Sequence, residues 1–307
     1  SELGFRPKMN DMFRLSIDEA VTTFYRERIR QAEIYDSGTS DSEADDTGSP
    51  TAVADPVIES FSMLRDPEDR ERFKAAQPGI RDSGNGHATF ELPGPPVDEA
   101  LKHRYLARRS HRTFDPATIP SRDFGELLSV LRQISLDGEP KYLYASAGGL
   151  YPVQAYVYLK EGRVEGLAEG IYYYQPTTHQ LVAVAPGVTL DRSLWAWVNQ
   201  PIFDQAAFAI FFVTRYAAIA PMYGHLSRDF SLVEAGLMAQ LLDEEATKLQ
   251  LGLCYMGGVE FEPIRHHFDL DDSHRLVFNM LGGRVDREQE GARAAETEIS
   301  DWEEGAL

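Results

Sequence analysis

A short basic segment, Arg108-Arg109-Ser110-His111-Arg112, is well suited to binding an anion. It places three guanidinium groups and one hydroxyl within five residues, at the end of a helical stretch. Arginine binds phosphate through two parallel hydrogen bonds, and a serine adds a directed donor. The segment therefore predicts a phosphate site. Taken alone, it is equally compatible with an exposed basic turn that makes only surface ion pairs.

Glycine pairs stand beside strands at three further points of the sequence. The segment Ser146-Ala147-Gly148-Gly149-Leu150-Tyr151-Pro152 leads into a strand at Val153. Gly257-Gly258 follows another strand, and Leu281-Gly282-Gly283-Arg284 stands at the end of the last strand, with a cation attached. Because glycine has no Cβ, such positions allow a flat ligand to lie against the main chain. An ordinary glycine turn is the alternative, and the pairs match neither a Walker A loop nor GxGxxG.

Metal binding is not expected from the sequence. His266 and His267 are adjacent, and adjacent side chains seldom converge on one ion. No cysteine or third ligand stands at a usual spacing from them. The single cysteine, Cys254, lies in an apolar strand and is interpreted as a small buried hydrophobic residue. One cysteine excludes an intrachain disulfide and favours the reducing cytoplasm.

The elements that must position these residues mix helices and strands without a regular βαβ alternation. Alternation and β-branched content predict strands, and apolar residues at helical spacing predict helices. This pattern favours an α+β fold, a mixed or antiparallel sheet flanked by helices. The predicted elements are helices at 98–109 and, opened by Ser121, at 122–134; a strand at 153–160; a hairpin joined through 175–179; a buried strand at 206–215; a helix at 228–250; and short strands at 253–259 and 275–281.

Residues 98–285 are expected to form the main domain. An amphipathic helix is predicted within residues 1–35, where Ser16 and Glu19 resemble a capping box. Residues 36–59 are predicted to be an acidic flexible linker, and residues 60–97 to be a helix followed by a loop rich in glycine and proline. The segment 286–307 is interpreted as an acidic tail.

The net charge of −19 excludes two classes of partner, because nucleic acids and anionic membranes are both polyanions. The charge is uneven: residues 36–59 carry −7 and residues 285–307 carry −6. Around Arg108 the chain is locally basic, with Lys102 and Arg104 nearby. No apolar run is long enough for a membrane span, and the N-terminal residues lack a signal-peptide pattern, so a cytoplasmic location is expected.

The order of these motifs resembles the nitroreductase superfamily. The matching segments are RRSHR, SAGGLYP, GIYYYQPTTHQL, YGHLSRDFSLVEAGLMAQLL, GLCYMGG and LGGR, together with DPEDRERFKAAQPGIR upstream. Within the superfamily the chain is similar to SagB-type dehydrogenases that form thiazoles and oxazoles with FMN, and most of all to the oxidase domains of nonribosomal peptide synthetases. The resemblance covers roughly residues 60–285 and implies a homodimer with FMN bound across the interface.

The resemblance also implies roles for individual residues. The FMN phosphate and ribityl chain would be held by Arg108, Arg109, Ser110 and Arg112, with Arg284 near the phosphate. The isoalloxazine would be lined by Ser146, Gly148 and Gly149, which in this family come from the other subunit. Gly257 and Gly258 would lie beside the reactive edge of the flavin, and helix 228–250 would pack at the dimer interface.

One departure from the family pattern concerns catalysis. Peptide-modifying relatives carry a Lys-Tyr pair just before the long helix, where this chain has Met222-Tyr223. Oxidation of an azoline removes a hydride and a proton, so the protein must supply a base. Tyr223 matches the family position, although an unperturbed phenol has a pKa of about 10. His225 stands two residues further on and is the second candidate, because imidazole is a common general base, and the sequence does not choose between the two residues.

The resemblance implies an FMN-dependent oxidase of nonribosomal peptide biosynthesis. Its substrate would be a thiazoline or oxazoline tethered to a carrier protein of a synthetase module, with hydride transfer to flavin N5 and reoxidation by O2. Three alternatives remain. The first is dehydrogenation of a tethered amino-acid unit, as in indigoidine-forming synthetases. The second is a free NAD(P)H-dependent nitroreductase, and the third is a non-catalytic module that docks a carrier protein.

Overall fold

The computed structural model describes residues 66–76, 86–94 and 98–285. The chain separates into two compact units, Ser1–Glu91 and Leu92–Leu307. In the first unit the described residues form one helix, α1 (Pro67–Ala76), within the segment predicted to be helical. The helix predicted within residues 1–35, the acidic linker and the acidic tail lie outside the described residues.

The described part of the second unit contains five helices and eight strands, joined by short 3₁₀ turns. In chain order they are α2 (Glu99–Ala107), α3 (Ser121–Ser129), β1 (Ile134–Leu136), β2 (Glu139–Lys141), β3 (Val153–Leu159), β4 (Gly170–Gln175), β5 (Gln180–Pro186), α4 (Gln200–Gln205), β6 (Phe208–Arg215), α5 (Ala220–Tyr223), α6 (Ser227–Lys248), β7 (Leu251–Met256) and β8 (His274–Arg284).

Six of the strands form one antiparallel sheet in the order β5-β4-β3-β6-β8-β7. Its central strand β6 is buried along almost its whole length and alternates between two apolar cores. Phe208 and Phe212 face the core built with α3 and α6, whereas Phe211 faces the core built with α4. Because both faces are covered, β6 has no polar side, as its continuous apolar sequence predicted. The α+β sheet flanked by helices is confirmed.

Three predicted elements differ from the structure by three residues or more at one end, and one of them, the strand expected at 253–259, spans Leu251–Met256. The helix expected at 122–134 ends at Ser129, because the chain turns there and forms the small β1–β2 hairpin. Asp137 and Gly138 at its tip both have positive φ, as a tight two-residue hairpin requires. The last strand, expected at 275–281, extends over eleven residues to Arg284, because β7 pairs with it along that added length.

None of the helices within residues 66–76, 86–94 and 98–285 is both long enough and apolar enough to cross a bilayer.

Candidate functional site

The glycine-rich segment before β3 folds as a tight turn over Ser146–Tyr151. Gly148 and Gly149 adopt φ values of 62° and 66°, and Tyr151 also has a positive φ of 49°. The backbone N–H of Tyr151 donates to the Ser146 hydroxyl oxygen at 2.8 Å and closes the turn. Both glycines are exposed, so the main chain is accessible at the point where the sequence predicted a flat ligand.

Tyr223 lies directly against this turn. It is the last residue of the short helix α5, and its ring packs edge-on against Phe230 with centroids 4.9 Å apart. A Cβ built on Gly148 would lie 2.7 Å from Tyr223 Oη. The structure therefore brings together two segments that the sequence singled out independently and that are 75 residues apart.

Met222 and His225 occupy the same region of the chain but differ in their surroundings. The Met222 methyl group would lie 3.4 Å from a Cβ on Gly148, so the residue that replaces the family lysine borders the turn. His225 is exposed in the 3₁₀ turn that follows α5. Of the two predicted catalytic residues, Tyr223 has the defined contact with the turn.

The basic segment lies beside β7. The His111 backbone N–H donates to the Leu253 carbonyl at 2.9 Å, which fixes the segment to the strand. The His111 ring is buried against Gly252, where a Cβ would lie only 2.4 Å from the ring. Burial, together with nearby Arg109, lowers the pKa of His111 to about 4. His111 is therefore a neutral anchor, and exposed Arg112 follows it.

Arg108 caps the end of α2 and stands near a buried carboxyl group on α6. Its backbone N–H donates to the Arg104 carbonyl at 3.3 Å. Burial raises the pKa of Asp243, and the positive charge of Arg108 opposes that rise. The Arg108 side chain itself is exposed. A guanidinium group thus faces solvent with a buried acid behind it.

The remaining predicted ligand-binding residues lie at opposite ends of β7. Gly257 and Gly258 follow its last residue, are exposed, and have open space where a Cβ would stand. Arg284 pairs with Leu251 at the start of β7, and its guanidinium donates to the Thr118 carbonyl at 3.3 Å. Ser110 lies half-buried within the basic segment.

Gly282 and Gly283 do not provide the backbone access expected of them at a strand end. They lie within β8, and a Cβ on Gly282 would come within 2.3 Å of the Phe208 ring. Gly283 is similarly close to the Phe114 ring, at 2.9 Å. These glycines make room for core aromatic side chains, so their role is packing.

Sequence reasoning missed Glu234, a buried carboxyl group on α6 that contacts the Ser146 turn. It accepts a hydrogen bond from the Val153 backbone N–H at 3.1 Å and another from the Ser146 hydroxyl. Burial raises its pKa to about 7, and these two hydrogen bonds limit the rise. The available signal was an acidic residue on the apolar face of a helix, one turn before Met238.

Cys254 is buried, as predicted, and burial raises the pKa of its thiol, with Arg112 acting in the opposite direction. An inert buried thiol is consistent with a packing role.

These features define an α+β protein whose accessible glycine turn lies against a tyrosine and whose arginine-rich segment is hydrogen-bonded to an edge strand. Residues 105–284, more than half of the chain, match the Nitroreductase family, and the chain belongs to that family. The superfamily resemblance of the sequence is thereby confirmed.

Two curated relatives are indigoidine synthases. The protein from Dickeya dadantii is 29% identical over 221 residues, which cover 64% of this chain and 14% of that protein. The protein from Streptomyces lavendulae is 26% identical over 266 residues, covering 70% of this chain and 19% of its own length. The chain therefore spans less than a fifth of the length of these relatives.

A solved structure supports the fold. A chain of the Escherichia coli microcin synthetase McbBCD complex with truncated pro-MccB17 bound superposes with a TM-score of 0.59 at 15% identity. The match covers 92% of this chain and 98% of that one.

Proposed function

We propose that this chain is an FMN-dependent oxidase of nonribosomal peptide biosynthesis that dehydrogenates a thiazoline or oxazoline tethered to a carrier protein. The observation that carries the proposal is the contact between Tyr223 and the Gly148 turn in a nitroreductase-family fold. That contact places a phenolic hydroxyl at an exposed stretch of main chain, where a planar group and a substrate ring can lie together.

The residues present fit FMN. Arg108 and Arg112 expose guanidinium groups that suit a phosphate, and Ser110 stands between them. The turn at Gly148-Gly149 leaves the main chain uncovered for a flat ring, and Gly257-Gly258 offers a second open edge. When bound, FMN would supply a two-electron acceptor that O2 can reoxidise.

This chain's own part in the reaction is to hold the substrate and to accept a proton. Tyr223 is the first candidate for the proton acceptor, since its hydroxyl lies at the turn and its ring is held against Phe230. Met222 carries no ionisable group, so the lysine of the peptide-modifying relatives has no counterpart at that position. Exposed His225 is the alternative base, because imidazole is a common proton acceptor.

A second substrate is supported by the curated relatives. Both are named indigoidine synthase, which favours dehydrogenation of a tethered amino-acid unit on the same site. Because the chain matches only a small part of each, a carrier protein of a synthetase module is the partner we propose for either substrate.

A homodimer with FMN across the interface is part of the proposal. Helix α6 exposes Val233 and Leu237, which are one helical turn apart, with Gly236 between them. Exposed apolar side chains beside a glycine allow close helix packing. In such a dimer, the family resemblance implies that the Ser146 turn of one copy lines the flavin held by the basic segment of the other.

A flavin and substrate assay tests the function. The protein is reconstituted with FMN, and loss of the visible absorbance of the oxidised flavin is followed without oxygen for a carrier-bound thiazoline, an oxazoline, a glutaminyl thioester and NADPH. Bleaching by an azoline supports the primary substrate, and bleaching by the glutaminyl thioester alone supports the second. Bleaching by NADPH alone indicates a free nitroreductase, whereas no FMN binding at all favours a carrier-docking module.

A further inference from the structure

Glu234 joins three elements around the proposed flavin site. It lies on α6 with only 2% of its surface exposed. Its carboxyl group accepts from the backbone of Val153, the first residue of β3, and from the hydroxyl of Ser146, the first residue of the turn. Because a buried polar group must be hydrogen-bonded, these contacts fix the turn relative to both the helix and the sheet.

The turn needs such support because its backbone conformation is unfavourable. Tyr151 holds a φ of 49°, a region that side chains with a Cβ rarely adopt. Its N–H bonds the Ser146 hydroxyl oxygen, and its ring stacks on Tyr142 with centroids 4.0 Å apart. Conformations of this kind persist only where surrounding contacts impose them. Ser146 supplies one such contact, and Glu234 orients the Ser146 hydroxyl.

The position of Gly148 depends on the same turn. Gly148 lies two residues after Ser146, and its missing Cβ leaves the space that Tyr223 Oη occupies. Rotation of Ser146 away from Glu234 would release the Tyr151 N–H and change the path of the chain through Gly148. The contacts therefore run from Glu234 through Ser146 to the Gly148–Tyr223 pair.

We propose that Glu234 is a positioning residue that, through Ser146, holds the turn in the conformation that keeps Gly148 against Tyr223 and open to the flavin. The flavin part of this inference rests on the proposed function. With only 2% of its surface exposed, Glu234 is assigned a positioning role and no direct contact with the flavin or substrate.

The ionisation of Glu234 gives this role a pH signature. A carboxylate accepts the Ser146 hydrogen bond more strongly than a neutral carboxyl group does. The titratable side chains that sense its charge are Tyr142 and Tyr144, which precede the turn and have pKa values raised mainly by burial. With its pKa raised to about 7, Glu234 becomes protonated as the pH falls below neutrality, and the turn is then held less tightly.

The test uses the full chain with Ser146→Ala and Glu234→Gln. Glu234→Gln keeps an oxygen for the Val153 N–H but cannot ionise, and it avoids the unpaired buried donor that Glu234→Ala would leave. Glu126→Gln, on the exposed face of α3, is the matched control. FMN affinity is measured by fluorescence quenching from pH 5.5 to 8.5 (a range of about 1.5 units on either side of the raised pKa). Hydrogen exchange of the peptide covering residues 146–153 is measured without flavin.

We expect Ser146→Ala to weaken FMN binding about tenfold, as the loss of one hydrogen bond to a charged group implies, and to speed exchange in the turn. The wild type should bind FMN more tightly as the pH rises through 7. At low pH, Glu234→Gln should bind FMN as tightly as the wild type, but its affinity should not rise with pH. Glu126→Gln should behave as the wild type.

The inference would be overturned if, in both Ser146→Ala and Glu234→Gln, residues 146–153 exchanged hydrogen at the wild-type rate and FMN affinity rose with pH as in the wild type. If the wild type binds no FMN yet Ser146→Ala and Glu234→Gln still loosen the turn, the proposed function fails and the positioning of the turn by Glu234 stands.

Discussion

The hydroxyl of Tyr223 occupies the space that a side chain on Gly148 would need: a Cβ there would lie 2.7 Å from Oη. The two residues come from different elements, Tyr223 from the end of α5 and Gly148 from the turn before β3. Glycine at position 148 is therefore required twice, by its φ of 62° and by its neighbour. This pair joins the predicted ligand turn to the predicted catalytic tyrosine.

Gly148→Ala should impair turnover more than Gly149→Ala does. Both glycines have φ near 65°, so an alanine costs each of them about 1–2 kcal/mol in backbone strain. Only Gly148 has a neighbour within 4 Å of the added methyl group, so only Gly148→Ala displaces Tyr223. Urea unfolding should give similar losses for the two variants, while kcat falls further in Gly148→Ala. An equal fall of kcat in Gly148→Ala and Gly149→Ala would show that the Gly148–Tyr223 contact does not contribute to turnover.

Tyr223→Phe should lower kcat by about 100-fold or more with FMN affinity unchanged, as expected for loss of a proton-transfer group. His225→Ala should have a much smaller effect, since His225 is exposed and has no defined contact with the turn. Steady-state kinetics with the azoline substrate and FMN titration measure the two quantities. The reverse order of effects would assign the base to His225.

Arg108→Ala and Arg112→Ala should each weaken FMN binding about 10- to 100-fold, because each removes a charge-assisted hydrogen bond to phosphate. Arg122→Ala is the matched control, since Arg122 is an exposed arginine on α3. Affinity for riboflavin, which lacks the phosphate, should change little in all three variants. An equal loss of riboflavin binding would argue against a phosphate contact.

Two buried groups, His111 and Glu234, should make the stability of the fold depend on pH in opposite directions. The lowered pKa of His111, about 4, means that the unfolded chain takes up a proton first, so stability is lost as the pH falls from 6.5 to 4. The raised pKa of Glu234, about 7, means that the folded chain holds its proton longer, so stability is lost as the pH rises from 4.5 to 7. Glu234→Gln should remove the second loss.

Urea unfolding of Glu234→Gln and wild type across this range measures that difference. The variant should gain stability relative to wild type as the pH rises, by at most roughly 3 kcal/mol, and should keep the His111 dependence. Parallel stability curves for the two proteins would mean that Glu234 keeps an ordinary pKa.

Val233→Glu combined with Leu237→Glu should convert a dimer into monomers and reduce FMN affinity, because two charges would be buried in the interface proposed on α6. Both side chains are exposed in the single chain, so folding of the monomer should be little affected. Light scattering after gel filtration gives the mass. Val182→Glu, at an exposed valine on β5, is the control and should leave the mass unchanged.

Much of the fold could be predicted from local patterns. The apolar run of β6 predicted a strand covered on both faces, and the Gln175–His179 segment predicted the β4–β5 hairpin. The end of α3 and the length of β8 could not be predicted, because the β1–β2 hairpin and the pairing with β7 decide them. Residue types alone also left the glycine pairs indistinguishable. Gly148-Gly149 forms an exposed turn, whereas Gly282-Gly283 accommodates buried aromatic rings.

For this protein, the sequence by itself determined the inventory of chemical groups: a basic segment at Arg108–Arg112, three glycine pairs beside strands, and a tyrosine without the neighbouring lysine. Only the tertiary structure decided which of them meet. The Gly148–Tyr223 contact and the links from Glu234 to Ser146 and Val153 join residues separated by about 75 to 90 positions. Such contacts have no local signature, because the packing of α6 against β3 sets them and spacing along the chain does not.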